Sequence, residues 1–79
     1  MMTEWRRARK RPVVVEYREP SVEDSQGFLK GVAEKLETGH GVAYAVKGED
    51  FVIRDEVGEY PIRKDVFYKN YKVLEDEAT

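Results

Sequence analysis

The chain has 79 residues, a net charge of −2 and no cysteine. A chain of this length forms one small domain with a modest core, which leaves no room for a deep cleft between two domains. The lack of cysteine excludes disulfides and thiolate zinc sites, and no apolar run is long enough for a signal peptide or a membrane span, so we expect a soluble, cytoplasmic protein without a cofactor and without a membrane partner.

The first eleven residues form a basic arm. Five of them are arginine or lysine and one is glutamate, so the rest of the chain is acidic. Such an arm can be solvated, fold back on its own domain, or bind an acidic partner such as nucleic acid. Trp5 favours order or contact, because an exposed indole in a disordered tail gains nothing. We predict a basic arm over residues 1–11, a single domain over residues 12–74 and an acidic tail over residues 75–79.

The first half of the domain contains a strand and a helix by its sequence pattern. The β-branched run from Val13 predicts a strand that reaches Tyr17, and Pro20 ends it. Ser21 with Asp24 three residues later is a helix-capping pattern. Apolar residues then recur at intervals of three and four, which predicts an amphipathic helix over residues 21–38. These apolar positions are Val22, Phe28, Leu29, Val32, Ala33 and Leu36. Gly27 and Gly31 are interpreted as points of close packing on the sheet.

The second half has the pattern of an antiparallel sheet. Residues 42–46 predict a strand, and in the next run Phe51 and Ile53 alternate with Asp50, Val52 and Arg54, which predicts a strand with one buried face. Residues 55–58 have turn chemistry, and Pro61 in the return strand over residues 60–62 predicts a sheet edge. Residues 65–71 predict a helical turn, and residues 72–74 a short last strand.

These elements predict an α+β fold in the order β-α-β-β-β. A small antiparallel sheet of three to five strands is covered on one face by one amphipathic helix. We expect a single core between that helix and the closing hairpin, with no cavity for chemistry.

Two parts of the chain resemble a family of small phage and prophage accessory proteins. Its members open with a basic-Lys-Pro-Val-Val-(Ile/Val)-Glu segment and close with Gly-Asp-aromatic-Ile, Gly-Glu-x-Tyr-Pro, Asp-Ile-Phe and a final Tyr. The matching segments here are Arg9-Lys-Arg-Pro-Val-Val-Val-Glu16, Glu49-Asp-Phe-Val-Ile53, Gly58-Glu-Tyr-Pro61, Asp65-Val-Phe67 and Tyr71. Glu49 replaces the glycine of the family, one residue is missing between Glu59 and Tyr60, and residues 21–38 have no counterpart. The resemblance implies a compact phage-encoded protein in a host cell and no established reaction.

The residues give little sign of catalysis. His40 lies between two glycines, which suits a ligand-contacting loop or an ordinary exposed turn, and no partner at fixed spacing makes the imidazole a base or a metal ligand. We interpret it as a turn. The carboxylates of the closing hairpin, among them Asp50, Asp55 and Glu59, are explained by turn formation and edge protection. We therefore predict a non-enzymatic protein without catalytic, cofactor-binding or metal-binding residues.

Binding of a macromolecule is the favoured hypothesis. Between residues 60 and 72, aromatic residues alternate with cations, a composition found where bases stack and phosphates are paired, although the same aromatics can simply build the core. We predict binding of a host or phage protein by electrostatic complementarity, as an inhibitor of transcription or defence would bind. The alternative is a small nucleic-acid-binding module, and a homodimer stays open. The candidate contact residues are Trp5, Arg6, Arg7, Arg9, Lys10, Arg11, Arg63, Lys64, Tyr68 and Lys69.

Overall fold

The computed structural model describes residues 4–10 and 13–74. These residues form seven strands, one short helix and a single 3-10 turn over Gly27–Leu29. The strands are β1 (Arg6–Lys10), β2 (Val13–Arg18), β3 (Ala33–Thr38), β4 (Gly41–Val46), β5 (Asp50–Arg54), β6 (Glu59–Arg63) and β7 (Lys72–Val73), and the helix is α1 (Lys64–Asn70).

The strands form two antiparallel sheets. Five of them make one sheet in the order β6-β5-β2-β1-β7, and β3 with β4 makes a separate hairpin. Helix α1 lies against β5 and β6, and the β3–β4 hairpin also lies against β5 and β6. Because Phe67 of α1 packs with Phe51 while Leu36 of β3 packs with Val52, the two elements cover opposite sides of the sheet. We call these sides the helix face and the hairpin face.

The predicted α+β fold with one amphipathic helix over residues 21–38 is wrong. Described residues in that stretch form a loop, the 3-10 turn and strand β3. Gly27 has φ 61° and Gly31 has φ 76°, which is the left-handed region, whereas an α-helix needs φ near −63°. The two glycines therefore turn the chain instead of packing a helix on the sheet. The fold is mostly antiparallel sheet, and its one short helix is α1.

The apolar spacing that suggested a helix has a different cause. Ala33 and Leu36 are both buried three residues apart in β3. Leu36 faces the sheet, whereas Ala33 lies on the other side of the hairpin, where the Ser25 hydroxyl donates to its carbonyl oxygen. A strand with a buried residue on each side therefore shows the same three-residue spacing as the apolar face of a helix. Six paired positions with β4, from Ala33–Val46 to Thr38–Gly41, outweigh the helix propensity of Glu34, Lys35 and Leu36.

The other predicted elements are confirmed with small shifts of their ends. Strands occupy residues 13–18, 41–46, 50–54 and 59–63, the helical turn is seven-residue α1, and the last strand shortens to two residues. The basic arm is built into the sheet, since Arg6–Lys10 pairs with β2 on one side and β7 on the other. Arg11 and the predicted acidic tail over residues 75–79 lie outside the described residues.

The core consists of two apolar clusters rather than the single one expected. On the helix face, the rings of Tyr17, Phe51 and Phe67 lie with centroids 4.6 to 5.0 Å apart. The rest of this cluster is Ala8, Val15 and Ile53. On the hairpin face, Val52 packs with Leu36 and Ala45, and Trp5 packs against them. Strand β5 is thus buried on both sides, as expected for the central layer of three.

Spanning a bilayer would require a long, apolar helix, and the described part of the chain contains none.

Candidate functional site: a groove beside the hairpin

A groove with a volume of about 1140 Å³ opens on the hairpin face. Strands β2 and β3, the loop between them and the segment just before β1 supply most of its wall. Its charged lining residues are Glu4, Arg18, Asp24, Glu34, Lys35 and Glu59. The remaining lining residues are Trp5, Ser21, Ser25, Gln26 and Leu29.

An ion pair joins the two sides of the groove. Arg18 at the end of β2 donates to both carboxylate oxygens of Glu34 in β3, at 2.7 and 2.8 Å. The Glu34 carboxylate also accepts from the backbone N–H of Ser21 at 2.8 Å, and Arg18 donates to the Glu19 carbonyl at 3.1 Å. The hydrogen bond to Glu34 raises the pKa of Arg18, although burial acts in the opposite direction. This pair ties the hairpin to the sheet.

Trp5 is held by two guanidinium groups. Arg18 Cζ lies 4.9 Å from the indole ring centroid, and Arg54 Cζ lies 4.1 Å from it. Arg54 is fixed in turn by Glu16, whose carboxylate accepts from Arg54 Nε at 2.8 Å. These distances are those of cation–π contacts. The electron-rich indole ring is therefore already in contact with two arginines of the protein itself.

The groove is electronegative. Arg18 and Glu34 neutralise each other, which leaves three further carboxylates beside Lys35. Asp24 Oδ2 accepts from the Ser21 hydroxyl at 2.8 Å, and Glu59 Oε1 lies 3.8 Å from Arg18 Nη2. Among the described residues, no cluster of histidine, cysteine, aspartate and glutamate has a geometry that could hold a metal ion.

His40 lies outside this groove. It occupies the exposed turn between β3 and β4, where its backbone N–H donates to Thr38 Oγ1 at 3.0 Å. The imidazole is not among the groove lining. The sequence interpretation of His40 as an exposed turn residue is confirmed.

The cations of the predicted arm do not share one surface. Alternation along β1 places Arg6 on the helix face and Arg7 on the hairpin face. Arg6 Cζ lies 5.1 Å from the ring centroid of Tyr17 on the helix face. The side chains of Arg9 and Lys10 lie outside the described part of the structure. Of the candidate contact residues of the arm that the structure describes, only Trp5 lines the groove.

The predicted basic and aromatic patch near the C-terminus is partly neutralised. Arg63 pairs with Asp65 at 3.2 Å, which raises the pKa of Arg63 and lowers that of Asp65. Lys64 Nζ lies 3.1 Å from Glu19 Oε2 and 4.8 Å from the ring centroid of Phe51. Lys69 is exposed, and Tyr68 is exposed while its ring edge contacts the aromatic core. Two cations of this patch are therefore engaged within the protein.

Sequence reasoning missed most of the groove. Arg18 and Glu34 were not singled out, and Phe28 was placed on the buried side of a helix, whereas 86% of its surface is exposed. The two glycines on either side of Phe28 were the available signal. Glycines four residues apart, each free to take positive φ, indicate a turn that presents the residues between them.

Comparison with known proteins does not identify the function of this site. No family model matches the sequence. Neither a curated protein nor a solved structure matches it. The resemblance to small phage and prophage proteins therefore rests on its motifs alone, and the function has to be argued from the groove.

Proposed function

We propose that this protein is a non-enzymatic binding module that takes a segment of another protein in the groove beside the hairpin. The observation that carries the proposal is the position of Phe28. This residue is 86% exposed, and Gln26 and Leu29 on either side of it line the groove. A large apolar side chain held in water beside a concave polar surface is the arrangement of an interface anchor with a polar surround.

The backbone around Phe28 is ordered by its own hydrogen bonds. The N–H of Lys30 donates to Gly27 O at 3.2 Å, and the N–H of Gly31 donates to Val22 O at 2.9 Å. A partner that covered Phe28 would therefore order little additional backbone. Burial of a phenylalanine side chain contributes about 1.5–3 kcal/mol, so this one contact can supply a large share of a modest affinity.

Two features support binding over catalysis. The strongest polar interaction in the groove, between Arg18 and Glu34, is a closed ion pair with further backbone contacts, rather than a base directed at a nucleophile. His40, the side chain best suited to proton transfer near neutral pH, lies outside the groove.

The partner class follows from the resemblance to phage and prophage proteins. A phage-encoded module of this kind would bind a host or phage protein in the host cytoplasm. Inhibition of host transcription or defence machinery is one activity that such binding would produce, and it is proposed on the same terms.

The proposed function is tested by a selection from a random peptide library on the immobilised chain. Recovered peptides are then measured against Phe28→Ser and against Val57→Ser, a control whose side chain is equally exposed (85%) in the β5–β6 turn. We expect the affinity to fall about tenfold or more in Phe28→Ser and to be unchanged in Val57→Ser. Peptides that bind both variants equally, or a selection that yields no saturable ligand, would contradict the proposal.

Nucleic-acid binding is the second candidate, and one observation favours it. Arg7 and Arg9 lie two residues apart in β1, and Arg9 is paired with Lys72 across the β1–β7 ladder. These cations lie on neighbouring strands, as in sheets that follow a phosphate backbone.

A gel-shift series with single-stranded and double-stranded DNA and RNA tests this candidate. Deletion of residues 1–11 is unsuitable because it removes β1 from the sheet, so the informative variant is Arg7→Gln with Lys72→Gln. Binding that weakens steeply with salt and is reduced in this variant would favour nucleic acid. No shift at low salt would exclude it.

A further inference from the structure

We infer that the segment taken by the groove is basic, and that its arginine or lysine side chain binds the carboxylates of Asp24 and Glu59. The inference rests on the proposed function and specifies the chemistry of the partner. Three observations lead to it: the charge of the lining, the engagement of Arg18, and the engagement of Trp5.

The charge of the lining disfavours an acidic partner. Glu34 is satisfied by Arg18 through two hydrogen bonds, at 2.7 and 2.8 Å. Glu59 forms a weaker ion pair with the same guanidinium at 3.8 Å, which is beyond hydrogen-bond distance, so its oxygens can still accept from a ligand. Among the lining residues that the structure describes, the carboxylates other than Glu34 outnumber the remaining cation, Lys35. A ligand cation is therefore attracted, and a carboxylate or phosphate is repelled.

Arg18 does not offer an anion site despite its place in the lining. Its two terminal nitrogens donate to Glu34, and one of them also donates to the Glu19 carbonyl. An incoming anion would have to break a partly buried bidentate pair. Anions are therefore disfavoured in the groove, whereas the cations of β1 and β7 would attract them. The two surfaces are expected to bind ligands of opposite charge.

Trp5 does not provide the cation site either. Its ring is already contacted by Arg18 and Arg54, with guanidinium carbons 4.9 and 4.1 Å from the centroid. The ligand cation would thus be held by carboxylates and not by stacking on the indole. Leu29 in the lining and Phe28 beside it favour an apolar residue next to the cation in the bound segment.

The test is a titration of the isotopically labelled protein followed by amide NMR shifts. The probe is a capped eight-residue peptide of glycine, leucine and arginine, with two arginines beside one leucine. Matched peptides carry citrulline or glutamate in place of arginine, which removes or reverses the charge at nearly constant size. We expect the arginine peptide to shift the amides of Ser21, Ser25 and Gln26 and the Trp5 indole N–H. The citrulline peptide should bind at least about fivefold more weakly, and the glutamate peptide should not bind.

Substitutions of the lining carboxylates test which of them bind the cation of the peptide. Asp24→Asn and Glu59→Gln should each weaken the arginine peptide about two- to fivefold, and together by roughly the product of the two. The control is Glu37→Gln, whose side chain is exposed on β3 and does not line the groove. It should leave the affinity unchanged.

The outcomes separate the two proposals. If the citrulline or glutamate peptide binds the groove as well as the arginine peptide, the basic-segment inference is wrong while the groove remains a binding site. The same holds if library-selected peptides bind there and the arginine peptide does not. If neither arginine nor selected peptides shift the groove amides, the proposed function fails together with the inference.

Discussion

The two faces of the five-stranded sheet are built from the same strands and differ in almost every physical respect. On the helix face, Tyr17, Phe51 and Phe67 form a dry aromatic cluster. On the hairpin face, a small apolar contact gives way to charged residues, a tryptophan and an open groove. Tyr17 and Arg18 are consecutive in β2, so one step along the strand separates the two environments.

The two faces therefore contribute to this small domain in different ways. Removal of aromatic surface from water stabilises the fold without a partner of defined charge. A partly buried ion pair contributes little net stability, because desolvation of the charges offsets their attraction, yet it fixes the geometry of the groups that it joins. We therefore expect the helix face to contribute most of the stability and the hairpin face to set the geometry of the groove. Substitutions on each face test this assignment.

The largest effect is expected on the helix face. Phe67→Ala removes the fully buried side chain by which α1 packs on Tyr17 and Phe51. The free energy of unfolding should fall by about 3–5 kcal/mol, against a total of roughly 4–12 kcal/mol for a chain of this size. Urea unfolding followed by circular dichroism measures this. Val66→Ala on the exposed side of the same helix should have little effect, and equal losses in the two variants would contradict this assignment.

A smaller effect, reversible by a second change, is expected on the hairpin face. Arg18→Met leaves the Glu34 carboxylate, only 18% exposed, without its cation, and should cost about 2–4 kcal/mol. Replacing both residues, as Arg18→Met with Glu34→Leu, should recover at least half of that loss, because no unpaired charge remains. A double variant no more stable than Arg18→Met would refute this account. The exposed Arg63–Asp65 pair supplies the control, since Arg63→Met should not change the urea midpoint.

Substitutions of Trp5 separate the contribution of its apolar contacts from that of its contacts with the arginines. Trp5→Leu keeps an apolar side chain near Leu36, Ala45 and Val52 but removes the ring contacted by the arginines. It should lose about 1 kcal/mol, whereas Trp5→Ala should lose about 2 kcal/mol. Circular dichroism is the measurement, because Trp5 is the only tryptophan. Wild-type stability in Trp5→Leu would mean that the guanidinium contacts contribute nothing.

The parts of the fold that sequence could predict are those set by neighbouring residues. Alternation at Phe51 and Ile53, turn chemistry from Asp55 to Gly58 and the missing N–H of Pro61 all act within a few positions, and these elements are present. Strand β3 depends instead on its pairing with β4 and on burial from two sides. Neither can be seen in a window of a few residues, so good helix formers there suggested a helix.

The candidate site shows the same limit. Trp5 was singled out because an indole gains nothing from exposure in a disordered tail. Arg18 and Glu34 meet only because β3 folds over the sheet, and with β3 assigned to a helix their contact could not be foreseen. The cations of the arm were grouped by proximity in sequence, whereas alternation along β1 separates them onto two faces.

The smallest effect is expected at the β5–β6 turn, where the Asp55 carboxylate accepts from the N–H groups of Val57 and Gly58 and from the Tyr60 hydroxyl, at 2.8, 3.2 and 3.1 Å. Burial raises the pKa of Asp55, but these hydrogen bonds outweigh it and hold the pKa below its ordinary value. Because the folded pKa is the lower one, the stabilisation is complete above about pH 4 and is lost as the pH falls through the folded value. Asp55→Asn should therefore flatten the dependence of the urea midpoint on pH between about 5 and 2, and Tyr60→Phe, which removes one donor, should lie between this variant and wild type. An unchanged slope in Asp55→Asn would show that this turn contributes nothing to acid sensitivity.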